Sequence, residues 1–409
     1  MKGLIISRIE ALRGGASGFG FAACAAICVF ALGLTGCEFI RDFMGIGGEE
    51  PPQPAMVSGP AIRIDSPDPE GGPGWSFDDN TVTIAKNGVY TIQGGTTVNR
   101  VKVSSGVKAN IVLDGVDIDL SAGSADECAF DITGAAVELI FALGSTNTLK
   151  SNGTSAGLHV PAGAALTITS AAGGGTLSAA GGNSGGAGIG GGNGEDGGTI
   201  TISGGTVNAT GGTGGAGIGG GKGDNSGSPT IVGGGGGNIT ISGGTVSATG
   251  GDGEGDVKHA NYHQPGTGTS GGSGIGGGSF GPGGTITIRG GFVWAYSPAS
   301  SGDSPTPAGP SPGDTDDPNG DPPAIGGGSV SGSDGDAGTI TISGGTVIAV
   351  TESRGAAIGG GKRAKNGSIS ISGGTIIALY RPGLGPYGGT TNTQSGYDES
   401  NDGTIGLDS

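Results

Sequence analysis

Cysteine is scarce, with four in 409 residues, so the chain is not a disulfide-stapled scaffold. Lysine and arginine are few, 18 against 35 Asp and Glu, and the formal net charge of −17 excludes a basic surface of the kind that nucleic-acid phosphates need. Aromatic residues make up 4% of the chain, so any cluster of them stands out. Beyond the first forty residues no amphipathic segment of helix length occurs.

Glycine is what the chain has in quantity, 101 residues, and it is periodic. The phrase Thr199-Ile-Thr-Ile-Ser-Gly-Gly-Thr-Val207 returns with small changes at Asn238–Val246, Thr285–Val293, Thr339–Val347 and Ser368–Ile376. A second phrase alternates with it at Gly188–Gly192, Gly217–Gly221, Gly274–Gly278, Ala324–Gly328 and Ala357–Gly361, each ending Ile-Gly-Gly-Gly. Ile200 and Ile202 alternate with Thr201 and Ser203, the two-residue period of a half-buried strand. Gly204 and Gly205 let the backbone turn. Thr206 to Thr210 is a second strand with Val207 and Ala209 inward, and Ala187 to Ile189 a third.

Three strands and three corners make one coil, the shortest spanning the 29 residues from Ser343 to Ser372. Other intervals are longer, 39 from Ser203 to Ser242 and 54 from Arg289 to Ser343, and the extra residues fall at two corners only. The pattern predicts an all-β, right-handed parallel β-helix of about nine coils with Gly-rich corners and one Ile/Val/Ala interior. It is expected over residues 77–380, with inserts near 251–271 and 297–323.

Residues 1–36 read as an export signal: Lys2, Arg8 and Arg13 precede an apolar stretch from Phe21 to Leu34 that is short for a membrane span. The stretch ends in Leu34-Thr35-Gly36-Cys37, which resembles the bacterial lipobox and implies cleavage before Cys37 and acylation of its thiol. Membrane attachment through those N-terminal acyl chains, in the cell envelope and facing the surface, is the expectation. Loss of Lys2, Arg8, Arg13 and Glu10 removes a net charge of +2 and takes −17 to −19. Cys24 and Cys28 leave with the signal, so Cys128 stands alone as a small apolar side chain. Residues 37–76, rich in Pro, Gly and acid, read as a flexible acylated tether, and 381–409 as a mobile tail or cap.

The first coils are better filled, at Val89–Ile92, Asn110–Leu113, Glu138–Phe141 and Leu166–Thr169. Asn110-Ile-Val-Leu-Asp-Gly-Val-Asp-Ile118, then Ala129–Ile132, Val137–Phe141, Gly144–Leu149 and the two glycine phrases in succession, resemble a bacterial family of surface proteins described as carbohydrate-binding domains. The resemblance covers about residues 80–380 and departs at the inserts Asp252–Ser270 and Ser297–Pro323. It implies a right-handed β-helix similar in shape to pectate lyases, associated with acidic plant polysaccharide and calcium rather than with cleavage. No metal ligand of that family is carried over to a position of this sequence.

Asp117 and Asp119, flanking Ile118, project outward from one strand with Asp114 at the preceding corner, a set of oxygens suited to calcium. His159, His259 and His263 are scattered, the last two in an insert. Arg289 takes a place where the other repeats have Ser. The sharper signal is Phe292-Val-Trp-Ala-Tyr296: the register of its siblings turns Val293 and Ala295 inward and Phe292, Trp294 and Tyr296 outward, where sugar rings stack on aromatic faces. Ile348, Val350, Ile377 and Leu379 continue the outward rows.

The preferred reading is a lipid-anchored polysaccharide-binding protein that meets acidic glycans through bridging divalent cations. A polysaccharide lyase or hydrolase on the same scaffold is the first alternative. A non-catalytic structural or adhesive surface rod, with an outward ladder of Thr201, Thr240, Thr287 and Thr341, is the second.

Overall fold

The computed structural model describes residues 61–123, 126–171, 173–223, 233–253, 271–298, 322–328, 336–352, 355–361, 364–365 and 367–380. All belong to one unit, Met56–Ser409. The segment read as an export signal, Cys37, most of the span read as a tether, most of both inserts with His259 and His263, and the residues after Tyr380 lie outside the described residues.

Every element among the described residues is a strand. Successive coils stack in parallel and in register, so identical phrases lie on one another. On the first face Thr199–Ile202 pairs with Asn238–Ile241, then with Thr285–Ile288, Thr339–Ile342 and Ser368–Ile371 in turn. On the second, Thr206–Thr210 pairs with Thr245–Thr249, followed by Phe292–Ser297, Thr346–Thr351 and Thr375–Tyr380. These two faces form one 17-stranded sheet, bent at the glycine corner, and the third face belongs to a 10-stranded sheet. In the third, Ile189–Gly190, Ile218–Gly219, Ile275–Gly276, Ile325–Gly326 and Ile358–Gly359 stack directly. The fold is a right-handed parallel β-helix. Leaving out antiparallel Trp75–Asp78, the 10-stranded sheet has nine parallel strands, the number of coils the repeats predict.

The alternation read from the phrases is the alternation of burial. Ile200, Ile202, Val207 and Ile218 and their equivalents in every described coil but the last are buried, while the Thr residues between them face out. Each buried Ile or Val contributes about 1.5–3 kcal/mol relative to an exposed one. The early coils hold the largest inward side chains, Phe130, Phe141, Leu113 and Leu139, and the glycine-rich coils close in on Ile, Val and Ala. The bend between first and second faces is made by the second glycine of each pair; Gly205, Gly244, Gly291 and Gly345 have φ of 78°, 80°, 86° and 83°, values that a Cβ resists.

Ladders continue unbroken across the breaks at 224–232, 254–270, 299–321 and 329–335, all of which follow a second-face strand or an Ile-Gly-Gly-Gly phrase. Added length there leaves the pairing intact.

The N-terminal boundary differs from the expected one. Ala61–Arg63, inside the span read as tether, already pairs in parallel with Thr91–Gln93, and Ile62 and Ile64 are fully buried. The Ala-Ile-Arg-Ile alternation is genuine strand pattern, set among prolines and acids that dominate the composition. Next, Trp75–Asp78 and Thr81–Ile84 form an antiparallel hairpin about Asp79 and Asn80, whose φ of 44° and 58° suit a tight two-residue turn. Trp75 and Phe77 pack against the core at that end.

Candidate functional site

The second face carries the only outward aromatic strand among the described second-face strands, Phe292–Ser297. Val293 and Ala295 are fully buried, and strand alternation therefore turns their neighbours to solvent: Phe292 is 40% and Trp294 39% exposed. Tyr296 is half-buried. Register fixes the surroundings. Trp294 lies between Ser247 and Ile348, with Ile377 beyond; Tyr296 lies between Thr249 and Val350, with Leu379 beyond; Phe292 lies between Thr245 and Thr346. The aromatics thus border hydroxyl-bearing coils on one side and an aliphatic strip on the other, in which Ile377 and Leu379 are 40% and 49% exposed. Arg289, also exposed, sits at the corner immediately before Gly290 and Gly291, its amide donating to the Ile241 carbonyl at 2.8 Å. A flat apolar row beside hydroxyls and one guanidinium can stack a ring and hydrogen-bond its rim.

The three aspartates do not come together. Gly115, at φ 71°, turns the chain between them, leaving Asp114 on the first face and Asp117 and Asp119 on the second. Asp114 accepts from Gln93 Nε2 at 2.6 Å, and Asp119 accepts from Lys150 Nζ at 2.8 Å. Hydrogen bonds from Lys150 and then Ser121 hold the Asp119 carboxyl below its ordinary range. Among the described residues no three His, Cys, Asp or Glu side chains are grouped to hold a metal ion. The calcium set read from Asp114, Asp117 and Asp119 is therefore corrected: a bend and an ion pair separate groups that sequence proximity suggested were one.

A charged cluster that the sequence reading passed over lies on the third face. Register places Asp131 and His159 at the same outward position of neighbouring coils. His159 Nδ1 is 3.0 Å from Asp131 Oδ1, and Nε2 is 2.6 Å from Glu195 Oε2, which also accepts from the Gly192 amide at 3.0 Å. Burial alone would lower the imidazole pKa, but hydrogen bonds to Asp131 and Glu195 outweigh it and raise it to about 9. Asp131 is likewise desolvated, yet His159 and Thr133 bring it down to about 2. With both ring nitrogens engaged, the imidazolium is a clamp across coils.

His159→Gln is accordingly expected to lower stability by about 2 kcal/mol at pH 5–6, the worth of hydrogen bonds to charged groups. A raised histidine pKa gives stability that is complete below the unfolded value near 6.5 and lost as pH rises through about 9. Wild-type and variant melting temperatures should therefore converge by about pH 10, measured by circular dichroism; a gap that stays constant with pH would contradict the charged clamp.

Cys128 is no nucleophile in this setting. Its thiol lies 3.2 Å from both the Phe130 and Ala156 carbonyl oxygens, the two acceptors open to its one S–H, and desolvation pushes its pKa up to about 12.

A family model described as Beta helix repeat matches residues 200–222 and 340–362. Each match covers the three strands of one coil, from its first inward isoleucine to the residue after Ile-Gly-Gly-Gly. This is a β-helix protein. The search of curated proteins finds no match, and the search of solved structures finds none either.

Proposed function

We propose that this β-helix protein binds glycan through the outward aromatic strand Phe292–Ser297, and that an acylated Cys37 holds it to the cell envelope. One observation carries the reading: in a chain 4% aromatic, Phe292 and Trp294 stand exposed on one strand, bordered by the hydroxyls of Thr245, Ser247 and Thr249. Exposed apolar area of this kind normally has a partner. Arg289 at the adjoining corner supplies a hydrogen-bonding cation for an acidic sugar.

The net charge, −17 for the whole chain and −19 once residues 1–36 are removed, opposes a polyanion, so an acidic polysaccharide of plant type approaches only with divalent cations between the two surfaces. Such a cation takes oxygens from both partners and needs no closed all-protein cage. The test is a panel of neutral and acidic glycans probed with the full chain, in calcium and in chelator. Binding to polygalacturonate that disappears in chelator is expected. Retention in chelator would remove the cation bridge, and silence across the whole panel would leave a structural or adhesive rod.

A further inference from the structure

The two ends of the column are finished differently. At the start, Trp75 and Phe77 pack over the core. At the other end the last described coil is less well buried. Ile286, Ile288, Ile340 and Ile342 are fully buried, whereas Ile371, in the same column as Ile342, is 39% exposed. Ile369, Ile376 and Ala378 are only partly buried as well. Among the described residues, Ser368–Ile371 pairs on one side only, with Thr339–Ile342. A half-covered apolar interior beside a row of unpaired backbone groups is costly and invites another strand.

The sequence beyond Tyr380 holds a strand of the right kind. Gly403-Thr404-Ile405-Gly406-Leu407 repeats the pattern of Gly284-Thr285-Ile286-Thr287-Ile288 and Gly367-Ser368-Ile369-Ser370-Ile371: a glycine, a small polar residue, then aliphatics at alternate positions. The glycine opening this phrase has φ of 70°, 74°, 73° and 65° at Gly237, Gly284, Gly338 and Gly367, so its recurrence at 403 matches a backbone requirement as well as a pattern. The step from Ser368 to Thr404 is 36 residues, between the 29 from Thr339 to Ser368 and the 54 from Thr285 to Thr339.

We propose that Thr404–Leu407 docks as a further first-face strand on Ser368–Ile371, with Ile405 over Ile369 and Leu407 over Ile371. The occupant is the chain's own segment rather than a second copy. Asp402 and Asp408 flank the phrase, and charges at an edge disfavour strand addition from another molecule.

Cross-linking in the full chain decides it. In-register parallel neighbours lie about 4.8 Å apart, within disulfide reach, and a partner two residues further along lies beyond about 7 Å, outside it. The pair Ser368→Cys and Thr404→Cys should close to near completion under mild oxidation, as read from linked peptides by mass spectrometry. The pair Ser370→Cys and Thr404→Cys should not. Separately, Leu407→Asp should speed hydrogen exchange of the Ser368–Ile371 amides at least tenfold, while Asp408→Asn leaves it unchanged. Failure of both pairs to close, equal closure of the two, or closure between molecules would each overturn the assignment.

Discussion

Replacing Gly276 by alanine is expected to destabilise the protein by on the order of 3 kcal/mol or more, because overpacking and a forbidden dihedral act together. Gly276 has φ of 132°, and a Cβ built on it would stand 1.9 Å from the Gly326 carbonyl oxygen and 2.8 Å from its carbon. Those atoms are backbone of the next coil, held in a ladder, and have nowhere to go. The same contact recurs at Gly190, Gly219 and Gly326, so from Gly190 onward this position of the third face is a column of stacked glycines that admits no side chain, whereas the earlier coils carry Asp131 and His159 there. Gly106 is the matched control: its φ of 80° is also positive, but nothing lies within 4 Å of its would-be Cβ. Gly106→Ala should cost about 1 kcal/mol, the dihedral strain alone. Urea unfolding of the two variants separates the terms. Equal losses would mean that the close stacking of coils on the third face is not what requires glycine.

The second large effect concerns Trp294→Ala, which should weaken glycan binding at least tenfold, about 1.4 kcal/mol, while leaving the melting temperature nearly unchanged. The asymmetry follows from position. Trp294 is 39% exposed and its backbone is held by Ser247 on one side and Ile348 on the other, so truncation removes contact surface without opening the interior. Stacking on an aromatic face is worth about 0.5–1.5 kcal/mol beyond the area buried, enough to account for the loss. Ile377→Ala, two coils along the same row, should do less, since an aliphatic offers no ring face. Titration calorimetry against the tightest glycan of the panel reads both. If Trp294→Ala bound as wild type, the aromatic strand would not be the contact, whatever the protein binds.

Much of this architecture could be read directly from the chain, and the reason is locality. The two-residue alternation at Ile200, Ile202, Val207 and Ala209 determines which side chains enter the column, and glycine at Gly205 permits the corner, so neither needs knowledge of distant partners. Repetition then supplies the partner, because a phrase stacks on its own copy. The outward placement of Phe292 and Trp294 follows from the same rule, as does the tolerance of long inserts at corners. Ala61–Ile64 was obscured by a neighbourhood of Pro, Gly and acid, although its own alternation is plain.

What the chain alone determined is periodic: the β-helix, the inward aliphatics and the row of exposed aromatics. Tertiary structure decided what depends on which coil lies beside which. His159 meets Asp131 across 28 residues and Glu195 across 36, distances over which no local pattern pairs them. It also separated Asp114 from Asp117 and Asp119, near in sequence but on different faces, since a single glycine corner redirects everything after it. Stacking converts sequence separation of about one coil into contact, and bending converts adjacency into distance; only folding the coils shows which groups share a surface.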